Sequence, residues 1–162
     1  MLACATGRGP QQNPSAGSSA RAESAPSGAS TSCAIPPRPS EPEQNAPRNV
    51  NGSALMTCGT SPMTGAYRDG RCTTGPEDLG VHVVCARVTE EFLEFTRERG
   101  NDLVSPRGGF PGLRPGDRWC LCGARWAEAE TGGVAPPVDL AATHEQALRF
   151  ATLDTLAKHA LP

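Results

Sequence analysis

The sequence predicts a small α+β domain, a two-layer sandwich with a short sheet, one clear helix and long ordered loops, and three observations predict it. Val81 to Val88 is an apolar run of strand length, and Thr89 to Gly100 carries the start and stop signals of a helix. Arg118-Trp119-Cys120-Leu121-Cys122-Gly123-Ala124-Arg125-Trp126 alternates with the period of a strand, and it holds both tryptophans and two of the seven cysteines. In a strand Cys120 and Cys122 share one face, about 6.6 Å apart at their Cα atoms, with Trp119 and Leu121 on the other.

Composition divides the 162 residues in two. Residues 1–47 contain no aromatic side chain and are dominated by Pro, Ser, Ala and Gly. Such a segment buries too little apolar surface to offset its ordering entropy, so it is expected to be a disordered tail, with Cys4 and Cys33 carrying no structural role. Arg8 and Arg21 without an acidic residue before Ala22 are compatible with a transit peptide. Residues 48–162 then form a single domain.

A formal net charge of -2 supplies no general attraction toward nucleic acid or an anionic membrane. No apolar run approaches the ~18 residues of a membrane span, and the basic and apolar regions of a secretory signal are missing. The expectation is a soluble intracellular protein, cytoplasmic or, if the tail is a transit peptide, organellar. An odd cysteine count with irregular spacing argues against a secreted disulfide framework and for reduced thiols or metal ligands.

Along the chain, order begins near Asn49-Val50. Cys58 to Cys72 is dense in turn formers and reads as an ordered loop bracketed by two cysteines. Its Asp69-Gly70 pair suits a tight hairpin between Ala66–Arg68 and Arg71–Thr73. In the strand Val81–Val88, His82 and Cys85 stand three apart, which in regular geometry sends them to opposite faces. Thr89 suits the N-cap of the next helix, Glu90 and Glu91 its positive end, and Arg97 and Arg99 its negative end, with Phe92, Leu93 and Phe95 as the apolar stripe. Asn101 to Asp117 has no regular period and reads as a long loop tied down by Phe110 and Leu113. Trp126 to Thr131 suits a short helix and Val138–Ala141 an edge strand. Thr143 to Gln146 reads as a capping box that leaves His144 at the first helical position, where free N–H groups attract anions. Thr152 to Lys158 closes the chain as a short helix.

These residues carry a resemblance. Thr74-Gly75-Pro76-Glu77-Asp78-Leu79-Gly80, His82-Val83-Val84-Cys85-Ala86, Glu91-Phe92-Leu93-Glu94-Phe95, Gly100-Asn101-Asp102-Leu103, Phe110-Pro111-Gly112-Leu113, Pro115-Gly116-Asp117-Arg118-Trp119-Cys120-Leu121-Cys122, Ala135-Pro136-Pro137 and Ala142-Thr143-His144 closely resemble the family known as domain of unknown function 2237. The resemblance runs from Asn49 to about Leu161. It implies a small two-layer α+β domain and implies little about activity. Members often carry a double cysteine where Arg71-Cys72 stands here, so a site needing both is incomplete in this chain. The loop after Leu103 is also about two residues shorter, and Gly123 replaces the alanine common after the second cysteine.

Two functional classes follow. In the first, a thiol-lined pocket serves a ligand-binding or enzymatic domain, where the Tyr67-Arg68-Asp69 loop, the Asn101-Asp102 loop and the strand around Arg118 converge. His82, Cys120 and Cys122 are its catalytic candidates, and Arg68, Asp69, Asp102, Arg118 and Trp119 would hold a small molecule, the arginines engaging an anionic group. In the second, Cys58, Cys72, Cys85, Cys120 and Cys122 supply thiolates to a zinc-like ion. Cys-x-x-Cys spacing is missing, which weighs against this set. A domain whose cysteines are core residues and whose partner is a protein stands as the third possibility.

Overall fold

A computed structural model describes residues 46–162. The expected tail, with Cys4 and Cys33, lies outside the described residues except at Ala46 and Pro47. The described residues belong to one structural unit, in which a short antiparallel sheet is packed with helices, the expected small α+β arrangement.

The sheet pairs β1, His82–Arg87, with β2, Arg118–Cys122. Val83, Val84, Cys85 and Ala86 are all buried, as a continuous apolar run requires. Cys85 lies opposite Cys120 and Val84 opposite Leu121, but His82 lies opposite Cys122, which leaves Val83 without a partner. One extra residue in a strand shifts its two-residue period, so His82 comes to the face shared by Cys85, Cys120 and Cys122. The opposite-face expectation for His82 and Cys85 is thereby reversed.

Helix α1 spans Glu90–Glu98. Thr89 Oγ1 accepts the N–H of Phe92 at 3.2 Å, as an N-cap should. Phe92, Leu93 and Thr96 are buried beneath it. Thr89→Ala removes that cap and is expected to cost about 1 kcal/mol, read as a lower urea midpoint at unchanged slope.

Helix α2, Gly123–Thr131, begins earlier than the alternation suggests. The Gly123 N–H still donates to Val81 O at 3.0 Å, closing the ladder. Beyond it Trp126 and Ala129, three apart and both fully buried, form a helical face that the strand pattern had concealed. A Cβ at Gly123 would run into the Phe150 ring, so the close packing of Phe150 on the start of α2 in this chain depends on the missing side chain. Trp126 Nε1 donates to Pro136 O at 3.2 Å, satisfying its one polar atom inside the core.

Beyond α2 the expected strand Val138–Ala141 shrinks to single bridges from Val138 to Ala86 and to Ala160. The cap expected at Thr143 moves one residue on. His144 Nδ1 accepts the N–H of Gln146 at 3.1 Å and opens a 3-10 helix over Glu145–Arg149, while Thr143 Oγ1 accepts from Cys85 N and donates to Asp139 O. His144 is therefore buried rather than an exposed first helical residue. Helix α3, Leu153–Lys158, is capped by Thr152.

The core divides by face. Val83, Val84, Phe92, Trp119, Leu121 and Trp126 belong to the larger apolar cluster. Cys58, Cys72, Cys85 and Cys120 gather with Ala142 in a second one. Here the expectation of reduced thiols is overturned: Cys58 is bonded to Cys85 and Cys72 to Cys120. Both bonds tie the loop that precedes Gly80 to the sheet. That loop is rich in Gly, Pro and Thr with few buried apolar side chains, so crosslinks hold it where packing cannot. Among the described residues Cys122 is the free cysteine.

Candidate functional site

The site is built around His82, at the first position of β1. Val81, just before it, has φ +48°, a left-handed conformation that a β-branched residue adopts only under constraint. Its N–H donates to Asp78 O at 3.1 Å and its carbonyl accepts from Gly123, so the tight approach to His82 is fixed at both ends.

Asp78 is the second member. Its side chain is 2% exposed, and its Oδ1 lies 2.6 Å from His82 Nδ1. Oδ2 accepts the backbone N–H of His82 at 2.7 Å and the Thr74 hydroxyl at 2.9 Å. Burial alone would disfavour the carboxylate. The His82 backbone, the imidazole and Thr74 together outweigh burial and hold the Asp78 pKa below its ordinary value. An ionised Asp78 can only accept, so Nδ1–H donates to it, and in a neutral imidazole of that tautomer the lone pair lies on Nε2. Gly80 completes the clamp, since a Cβ there would sit 2.8 Å from Nε2 and 2.9 Å from Nδ1.

Two cavities adjoin this imidazole. The larger, about 380 Å³, is lined by Arg68, Glu77, Asp78, His82, Trp119 and Cys120 among others. The smaller, about 150 Å³, includes His82, Asn101, Trp119, Cys120, Cys122 and Arg125. His82, Trp119 and Cys120 line both. Arg68, also left-handed at φ +54°, lies with its guanidinium 5.0 Å from the centre of the Trp119 ring. Over that ring, its charge borders the larger cavity.

Of the residues singled out from sequence, the structure gathers Arg68, His82, Trp119, Cys120 and Cys122. Three others are occupied in local structure. Asp69 accepts from Arg71 N and from the Thr73 hydroxyl, which makes it the turn residue of its loop without the expected hairpin strands. Asp102 accepts from the N–H groups of Val104 and Ser105, and hydrogen bonds from Ser105 and Val104 bring its pKa to about 2. Arg118 pairs with Asp139 at 2.7 Å. Cys120 has no thiolate to offer while bonded to Cys72. The same holds for the five-cysteine zinc set, in which four sulfurs are oxidised and only Cys122 is free.

Asp78, Thr74 and Gly80 were not anticipated as site residues. Their signal was present as an aspartate four residues before a histidine with a glycine between, inside a segment that otherwise reads as turn. The family model described as an uncharacterized protein conserved in bacteria, DUF2237, matches residues 48–160. The chain belongs to this family. The DUF2237 match contains every residue of the site and all five described cysteines. No curated protein matches the chain. Among the described residues, no helix is long and apolar enough to cross a membrane.

Proposed function

We propose that the domain acts on a small ligand through the Cys122 thiol, with His82 as its base and Asp78 as the carboxylate that orients the imidazole. The observation that carries this reading is the 2.6 Å contact of His82 with buried Asp78 on a histidine placed directly across the sheet from Cys122. Cross-strand partners project their side chains to the same face within reach of each other. The thiol gives its proton to Nε2, and the thiolate adds to a carbonyl carbon of the ligand, the carbonyl π bond breaking so that its electron pair goes to the oxygen. Helix α2 starts at the next residue, so the positive end of its dipole faces negative charge developing on the bound group. Cavities of about 150 and 380 Å³ fit a small molecule, and Arg68 suits an anionic end on it.

Alkylation of the oxidised full-length protein by iodoacetamide, followed by peptide mass spectrometry, tests the reading without knowledge of the substrate. Cys122 is expected to label at least about tenfold more slowly in His82→Ala than in the parent, because a base within reach is gone. Equal rates at Cys122 in the two proteins would remove His82 from the mechanism. Mapping by peptide separates Cys122 from Cys4 and Cys33.

A further inference from the structure

We propose that the buried cysteine cluster is a redox-gated metal site: once both disulfides are reduced, Cys58, Cys72, Cys85 and Cys120 bind a single zinc-class ion. The sulfurs of Cys58, Cys72 and Cys85 lie within 4.8 Å of one another, and that of Cys120 is bonded to Cys72. Four thiolates at about 2.3 Å from zinc stand about 3.8 Å apart along the edges of a tetrahedron. The four sulfurs are thus gathered on the scale of such a site, and the two bonded pairs move apart toward that spacing once they are reduced.

The topology favours the same conclusion. Cys85 and Cys120 face each other across β1 and β2, yet each is bonded to a cysteine of the preceding loop rather than to its neighbour. Reduction cuts both ties between loop and sheet at once. One four-coordinate ion restores both, because it takes two ligands from the loop and two from the sheet. The loop ligands are held near their places by other bonds: Cys58 N donates to Gly70 O at 2.8 Å, and Thr64 Oγ1 accepts from Cys120 N at 2.7 Å. All four cysteines are at most 3% exposed. An all-sulfur donor set selects zinc over magnesium or calcium.

The chemistry balances with a dithiol as reductant. Two dithiol molecules are oxidised to cyclic disulfides while the two protein disulfides become four thiols, and the metal displaces the four thiol protons. A disulfide-forming oxidant such as diamide reverses the sequence and expels the ion. Cys122 and His82 take no part, so this site stands or falls independently of the proposed reactive thiol.

The test uses the full-length chain, reduced under anaerobic conditions, freed of reductant and titrated with zinc or cobalt(II). One equivalent of zinc per chain in native mass spectrometry is expected, with the charge-transfer and ligand-field bands of tetrahedral cobalt thiolate. Uptake should persist in Cys122→Ser, in His82→Ala and in Cys4→Ser with Cys33→Ser, and diamide should release the ion to a chromogenic chelator. Absence of stoichiometric uptake by the reduced parent overturns the proposal, and this readout needs no variant to fold. Uptake that survives Cys72→Ser with Cys85→Ser, or that vanishes in Cys122→Ser, overturns it equally.

Discussion

Replacing Cys72 and Cys120 together by alanine is expected to lower the unfolding free energy by roughly 4 kcal/mol, and replacing Cys58 and Cys85 by roughly 3.5 kcal/mol. The difference comes from the unfolded chain, which each bond closes into a loop. The Cys72–Cys120 bond spans 48 residues and the Cys58–Cys85 bond 27. Closure restricts the unfolded ensemble more for the longer loop, though only logarithmically. Alanine at both ends avoids leaving a lone buried thiol, so the comparison isolates the crosslink as far as substitution allows. Urea titration of the two double variants measures the effect. A larger loss for the Cys58 and Cys85 pair would show that native contacts around Cys58, not loop entropy, dominate. Both values are sizeable against the roughly 5–15 kcal/mol of a typical domain, and the loop before Gly80 is expected to lose protection from proteolysis first.

The elements read correctly from sequence are those whose signals are local. Thr89, Glu90 and Glu91 mark the start of α1 within one turn, and Phe92 and Leu93 mark its buried face. The alternation through Trp119 and Leu121 likewise gave β2 and its two faces. It failed after Cys122, because Gly123 to Trp126 suits both periods and only the pairing of Trp126 with Ala129 on a helix face decides between them. The site depended on nonlocal facts. A one-residue irregularity at Val83 leaves no mark inside the apolar stretch Val83–Ala86, yet it decides which face His82 occupies. Cysteine pairing is equally silent in sequence: five described cysteines allow many connectivities, and only the fold brings Cys58 to Cys85 and Cys72 to Cys120. The sequence points to a pocket at Arg68 and Cys120 because turn loops and a thiol strand converge there. Asp69, Asp102 and Arg118 suit such a pocket by residue type alone, and their local partners occupy them.

Asp78→Ala is expected to cost about 3 kcal/mol, since it removes a charged acceptor that binds the His82 backbone, its imidazole and Thr74. Asp78→Asn separates that structural loss from the chemical one. The asparagine oxygen can still accept from the His82 N–H and from Thr74, so most of the fold should persist. Its amide, however, presents N–H to Nδ1 and drives the imidazole proton to Nε2, the atom that must accept the Cys122 proton. Cys122 alkylation in Asp78→Asn should therefore fall to the rate of His82→Ala in a protein that remains folded. The acid behaviour supplies an independent check. Because the folded carboxyl sits below its ordinary value of 3.8, its stabilisation is fully present above that pH and is lost as the pH falls through the lower folded value. The stability gap between the parent and Asp78→Asn should accordingly be largest at neutral pH and close below about pH 4. A gap that stays constant into acid would mean that Asp78 acts as a neutral hydrogen-bonding group, and it would withdraw the carboxylate that keeps His82 in its basic tautomer.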